Sequence, residues 1–262
     1  KSLTDRGRNP EPIEKGMADT LKVLEATARS FVIYGEPQSG KTEFMIALVC
    51  KLIDLKYKTI FVVMNDNTEL ENQNFDRFHA ASELNPTPCR DFDVRSMAEN
   101  ELRVDKQRII FCRKNSKNLQ KLVHHCRFMK DRVVIDDEAD YATPNSKINK
   151  AEVTAINEHL GILGHLELSQ TGIYIGVTAT PARLDLNNTY LNDSTKWVFL
   201  KSHEQYKGRM FFFPITAEEA RISNSNYQLV KMPDDQDNPK FLRESVYRFL
   251  LRVAALNLPG GS

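Results

Sequence analysis

Apolar residues in this chain fall into short continuous runs, separated by longer stretches in which they recur every three or four positions. The runs are Phe31–Gly35, Thr59–Met64, Arg108–Arg113, Arg132–Asp136 and Gly172–Thr178, each rich in Val, Ile or Phe. Strands covered on both faces read this way, because neither side of the pleat meets water. Helical spacing runs through Thr42–Leu55, Thr68–Ala81, Lys117–Phe128 and Ala151–Leu163. Strands and helices alternating in this order predict an α/β fold: a parallel sheet with helices on both faces. A weaker alternation at Asp91–Arg95 predicts one more strand, after a loop marked by Asn85, Pro86, Thr87 and Pro88.

Beyond Pro181 the pattern loosens. Residues 185–195 are rich in Asn and Asp, and short strands are expected near Trp197–Leu200 and Met210–Phe213. Residues 223–238 are polar with little periodicity and read as a linker. Leu242, Val246, Phe249, Leu250, Val253 and Leu256 then form the apolar stripe of an amphipathic helix. The expected division is a domain over 1–215 and a linker with a helix over 216–262.

Composition narrows the class without naming it. Of 262 residues, 41% are hydrophobic and 27% charged, which suits a globular core with a polar surface. No run is long and apolar enough for a membrane span, and no secretory leader pattern opens the sequence. The four cysteines, Cys50, Cys89, Cys112 and Cys126, lack C-x-x-C pairing, so a reducing cytoplasmic compartment is expected. His124, His125 and Cys126 have no partner cluster at ligand spacing, and zinc is not expected. A net charge of +1 argues against strong global attraction to nucleic acid. Between Arg103 and Arg132, however, ten Lys or Arg face only two acids, Asp105 and Asp131. That stripe reads equally as a track for a phosphate backbone or as a solvated helix face.

The chemistry begins at GEPQSGKT, Gly35 to Thr42, between the first apolar run and the first helical stretch. A strand, a glycine loop ending in Gly-Lys-Thr and a helix are the context that makes this string a P-loop. Gly35 and Gly40 let the backbone wrap closely, so that successive N–H groups form an anion nest, and the helix adds its positive end. Gly35, Gln38, Ser39, Gly40, Lys41 and Thr42 are the expected ATP-binding residues. Lys41 is expected to reach the β- and γ-phosphates, and the Thr42 hydroxyl to bind Mg²⁺.

The second signal is VVIDDEAD, Val133 to Asp140, an apolar strand delivering acids at its C-terminal end. Clustered acids repel one another unless a cation compensates, so the run reads as a metal site. Asp137 is expected to hold Mg²⁺ with Thr42, and Glu138 to orient and deprotonate the attacking water. Lys41, Asp137 and Glu138 are thus the candidate catalytic residues. The third signal, GVTATP from Gly176 to Pro181, places the hydroxyls of Thr178 and Thr180 at another strand end.

Taken in this order, the three motifs resemble those of superfamily 2 helicase and translocase ATPases, in their first RecA-like domain. GEPQSGKT is similar to motif I of that family, DDEAD to motif II and TAT to motif III. The resemblance implies a RecA-like P-loop NTPase fold and a role for Thr178 and Thr180 in coupling nucleotide state to domain movement. It also implies phosphate contacts to one nucleic-acid strand from the segment Asn67–Gln73, with Thr68 and Gln73 as candidates, and from Lys114 and Asn115. Thr87 to Arg90 (TPCR) mimics a further family motif but follows no apolar strand, and is set aside.

DEAD spelled by Asp137, Glu138, Ala139 and Asp140 invites comparison with DEAD-box RNA helicases. No glutamine precedes Gln38, so the adenine-reading glutamine motif of that group is missing from this sequence, and TAT stands where that group has Ser-Ala-Thr. The chain more closely resembles the ATPase domain of putative prokaryotic endonucleases of the Z-one type, in PQSGKT, LIDLKYKTIFVV, the Lys114-Asn115 step, DDEAD and GVTATPARL. That resemblance implies a motor for DNA, attached to restriction or phage defence. No Gln-x-x-Gly-Arg-x-x-Arg string and no nuclease pattern occur. A second RecA-like domain supplying arginine fingers, and a nuclease module or subunit, are therefore expected partners. Alternatives from other classes are a DEAD-box-like RNA helicase domain and a nucleotide-sensing interaction module.

Overall fold

A computed structural model describes residues 10–26, 29–36, 39–141, 155–164, 172–180, 197–202, 243–244 and 246–251. Its contacts separate two units, Lys1–Tyr206 and Lys207–Ser262. In the first, seven strands form one sheet in the order β3-β4-β2-β5-β6-β1-β7, and every neighbouring pair is parallel. The strands are β1 (Ser30–Gly35), β2 (Thr59–Met64), β3 (Cys89–Arg90), β4 (Arg108–Arg113), β5 (Arg132–Asp137), β6 (Ile173–Thr178) and β7 (Trp197–Leu200). The helices are α1 (Glu11–Glu25), α2 (Lys41–Asp54), α3 (Thr68–His79), α4 (Asp91–Ser96), α5 (Glu99–Leu102), α6 (Ser116–Cys126) and α7 (Ala155–Leu163). This is the RecA-like P-loop NTPase architecture, with the nucleotide loop following β1.

The continuous apolar runs form the interior of the sheet because both faces are covered. On β2, Ile60, Val62 and Met64 enter one core with Phe44, Leu48 and Leu52 of α2 and Phe78 of α3. Phe61 and Val63 point the other way, into a second core with Leu119 and Leu122 of α6 and Leu160 and Leu163 of α7. The same alternation continues across β4 and β5, since successive strand side chains face opposite sides.

Arg132 links the second layer to the sheet. Its buried guanidinium donates to the carbonyls of Met129 (3.0 Å) and Leu163 (3.1 Å), and also to that of Cys126. These carbonyls lie at or just past the ends of α6 and α7, where helices leave acceptors unpaired. Burial pushes its pKa down to about 10.

One predicted element changes type. Asp91–Arg95 is not a strand but the body of α4, and the strand is Cys89–Arg90. The alternation of Phe92 and Val94 suggests period two, yet local polar bonds favour a helical turn. The Arg90 N–H donates to the Asp93 carboxylate (3.0 Å), and Arg95 pairs with Asp91 at i,i+4 (3.0 Å). Of the two apolar residues Val94 is then buried and Phe92 exposed.

Helix α1 has no counterpart in the predicted elements. It packs on the first core through Ile13, Met17, Val23 and Leu24. Trp197–Leu200 forms the expected strand, beside β1. The predicted strand at Met210–Phe213 lies outside the described residues. In the second unit, residues 243–244 and 246–251 are helical, with Val246, Phe249 and Leu250 of the predicted stripe exposed. Leu242, Val253 and Leu256 lie outside the described residues.

Candidate functional site

Register brings the three motifs to one edge of the sheet. Asp137 is level with Val177, Val177 with Ile33, and Thr178 with Tyr34, immediately before Gly35. The P-loop, the acids and the Thr-Ala-Thr turn therefore leave the C-terminal ends of adjacent strands. In open parallel sheets this is where ligands bind.

The loop after β1 is built for close approach. A Cβ on Gly35 would lie 2.5 Å from the Ser39 hydroxyl and 3.3 Å from Lys41 Cγ, so any side chain there collides with the loop itself. Gly40 caps α2 with φ +86°, a left-handed conformation that favours glycine. Ser39 carries a buried hydroxyl with no hydrogen-bond partner among the described residues. The Lys41 ammonium donates to the carbonyls of Gly35 and Glu36, each at 3.0 Å, which leaves one of its three N–H donors over. Gln38 lies outside the described residues.

Electrostatics tie this loop to the acids. Burial lowers the Lys41 pKa, and the charges of Asp137, Glu138 and Asp140 oppose that shift. Asp137 is pushed up to about 6, first by burial and then by the charge of Glu138. Such a carboxylate is costly to ionise alone and is relieved by a cation. Among the described residues no group of three or more His, Cys, Asp or Glu is placed to hold a metal ion. A magnesium ion at Asp137 and Thr42 would accordingly take its remaining ligands from phosphate and water oxygens, as this cation commonly does.

The loop carrying the acids is held at every residue. Glu138 has φ +50°, uncommon for a side chain of its size. Its carboxylate accepts from Asn65 Nδ2 at 2.7 Å, and its main-chain carbonyl accepts from Lys114 Nζ at 2.6 Å. The Ala139 N–H donates to the Val177 carbonyl at 3.0 Å, and its small side chain fits against Gly176. Asp140 accepts from the hydroxyls of both Thr178 (2.6 Å) and Thr180. The expected coupling threonines thus grip the last acid of DDEAD. Asp140 was not among the predicted site residues; its two partners are 38 and 40 positions away in sequence.

The predicted nucleic-acid contacts separate into two groups. Lys114 does not offer its ammonium to a backbone phosphate. Its side chain is fully buried, bonded to Asp136 (2.9 Å) and to the carbonyls of Glu138 and Tyr141 (2.6 and 3.0 Å), which uses all three donors. Thr68, Gln73 and Asn115 remain at least partly exposed on the surface. Thr68 accepts from Arg113 (3.1 Å), and Asn115 donates to Asp66 (3.0 Å) while capping α6.

Thr87–Arg90 also belongs here. Apolar content alone assigns no strand to Cys89 and Arg90, yet they pair with Ile110 and Phe111. Arg90 lies over the Phe75 ring at 4.0 Å and binds Glu71 at 3.1 Å. Glu71 in turn meets Arg113 at 3.3 Å.

Part of the basic stripe is thereby committed to contacts within the domain. Arg108, Lys114 and Arg132 are buried, and Arg103 and Arg127 share Glu99 and the Phe128 ring.

Residues 13–183 match the family model described as type III restriction enzyme, res subunit. No curated protein matches the chain in sequence. Among solved structures, the Hef helicase domain of Pyrococcus furiosus is 14% identical with a TM-score of 0.45, over 74% of this chain and 39% of that one. The genome packaging NTPase B204 of Sulfolobus turreted icosahedral virus 2, in complex with AMP, is 15% identical with a TM-score of 0.36, over 60% of this chain and 68% of that one. With TM-scores below 0.5, neither likeness bears on the site. Among the described residues no helix is long and apolar enough to cross a membrane.

Proposed function

Because the chain belongs to the type III restriction enzyme res-subunit family, we propose that it is the ATP-binding half of a DNA-directed superfamily 2 motor serving restriction or phage defence. The observation that carries the reading is the convergence of the P-loop with DDEAD: Lys41 lies in the field of Asp137, Glu138 and Asp140. A P-loop hydrolase needs a cation-binding acid and a water-directing acid opposite its phosphate loop.

In this reading the amides of Ser39, Gly40 and Lys41 and the Lys41 ammonium hold the triphosphate of ATP. Asp137 and the Thr42 hydroxyl would hold magnesium, which would supply positive charge against the phosphate oxygens. Glu138 orients a water in line with the γ-phosphorus and takes its proton. Asp140, through Thr178 and Thr180, transmits the state of this loop along β6 to a second RecA-like domain. Thr68, Gln73 and Asn115 line the edge where a nucleic-acid strand would contact the domain by its phosphates, without base readout. Arginine fingers from the second domain complete the transition-state charge, so the chain alone hydrolyses slowly.

Calorimetric titration with Mg-ATP tests the binding claim: saturable binding by the chain is expected, with loss on Lys41→Ala. Hydrolysis by the motor joined to its second domain should rise more with duplex DNA than with RNA. Preference for RNA would favour the DEAD-box-like reading, and binding without hydrolysis under any condition would favour a nucleotide sensor.

A further inference from the structure

Asn65 is the residue immediately after β2, and its side-chain amide donates to Glu138 Oε2 at 2.7 Å, across 73 positions of sequence. It begins a short, heavily cross-linked segment. The Asn67 N–H donates to the Asn65 carbonyl at 2.7 Å, and Asn67 Oδ1 caps α3 by accepting from Glu69 and Leu70. Asp66 accepts from Asn115, and Thr68 accepts from Arg113. The segment 65–68 therefore joins the water-directing carboxylate to the surface residues Thr68 and Asn115. Glu138 itself is exposed, and Lys114 fixes only its main chain. Among the described residues, Asn65 is the partner that orients its carboxylate.

We propose that Asn65 is a positioning residue for hydrolysis: its amide sets the direction of the Glu138 carboxylate and makes it depend on the segment that faces nucleic acid. The inference rests on Glu138 acting on the attacking water. An amide N–H occupies one lone pair of Oε2 and leaves the others for water, so the contact orients the base without blocking it. A nucleic-acid strand drawing on Thr68 or Asn115 would shift Asn65, only a few residues away, and with it the carboxylate. General-base assistance contributes on the order of 10²–10⁴ in rate, and a misdirected base forfeits part of that factor.

The test is single-turnover hydrolysis of Mg-ATP by the full chain in excess over nucleotide, with nucleotide affinity measured in parallel. Asn65→Ala should slow turnover by about tenfold, part of the general-base factor, while affinity stays within about twofold. Asn65→Asp keeps the shape but replaces the donor with a second carboxylate, and should be at least as slow. Asn65→Gln, which retains an amide, should recover part of the loss. Turnover at the wild-type rate in Asn65→Ala or Asn65→Asp, with Glu138→Gln inactive, would overturn this inference and leave the proposed function standing. Glu138→Gln hydrolysing at the wild-type rate would remove both.

Discussion

Lys114 and Asp136 form a fully buried ion pair at 2.9 Å, one at the end of β4 and the other near the end of β5. The Tyr174 hydroxyl completes it by donating to the second Asp136 oxygen at 2.8 Å. Through Lys114 the pair also carries the carbonyls of Glu138 and Tyr141, so the loop with the acids of DDEAD hangs from a charge in the domain interior.

Removing one partner strands the other. Lys114→Met should destabilise the domain by about 3–5 kcal/mol, the usual cost of an uncompensated buried charge. Urea unfolding would measure it, and the double change Lys114→Met with Asp136→Leu should regain much of the loss. A phosphate-contacting surface lysine would instead give less than about 0.5 kcal/mol.

A side chain at Gly35 crowds its loop, because the Cβ would lie 2.5 Å from the Ser39 hydroxyl, which would have to shift. Gly35→Ala should weaken Mg-ATP binding by at least about tenfold and lower stability by about 1–3 kcal/mol, the range typical of overpacking. Calorimetry and thermal melting on the same sample separate the two effects.

Asp137 gives a pH dependence of defined sign. Its folded pKa is raised from 3.8 to about 6, so the folded state binds the proton more tightly than the unfolded chain does. Stability is therefore lost as pH rises between those two values, and the full penalty, on the order of 3 kcal/mol, persists at neutral pH. Asp137→Asn should raise the melting temperature at pH 7.5 and leave it nearly unchanged below pH 4 (ranges set by the same linkage). Magnesium should stabilise the wild type and not the variant.

Thr178 is buried and donates to Asp140. Thr178→Val leaves that carboxylate oxygen without its donor and should cost about 1–2 kcal/mol, while Thr178→Ser should cost less. If the clamp couples the domains, turnover of the two-domain motor falls further in Thr178→Val than ATP affinity does.

Glycine spacing, continuous apolar runs and strand-end acids needed nothing beyond residue order to identify a P-loop α/β domain. Each is a local pattern: the chemistry of GEPQSGKT is carried by consecutive residues, and a strand buried on both faces advertises itself as an unbroken run. Elements whose local evidence conflicted were legible only in part. Period two at Phe92 and Val94 concealed α4, whose start is fixed by the bond from the Arg90 amide to Asp93.

Strand order and register settled everything that lies between elements. Lys114 and Asn115 are neighbours in sequence with equal claims on a phosphate; folding buried the first beside Asp136 and left the second partly exposed. Asn65 with Glu138, and Asp140 with Thr178, meet because β5 lies beside both β2 and β6, and Arg90 with Glu71 because β4 lies between β3 and β2. Hydropathy fixes which face of a strand is buried but not which strand lies next to it, and contacts that cross the sheet depend on that choice.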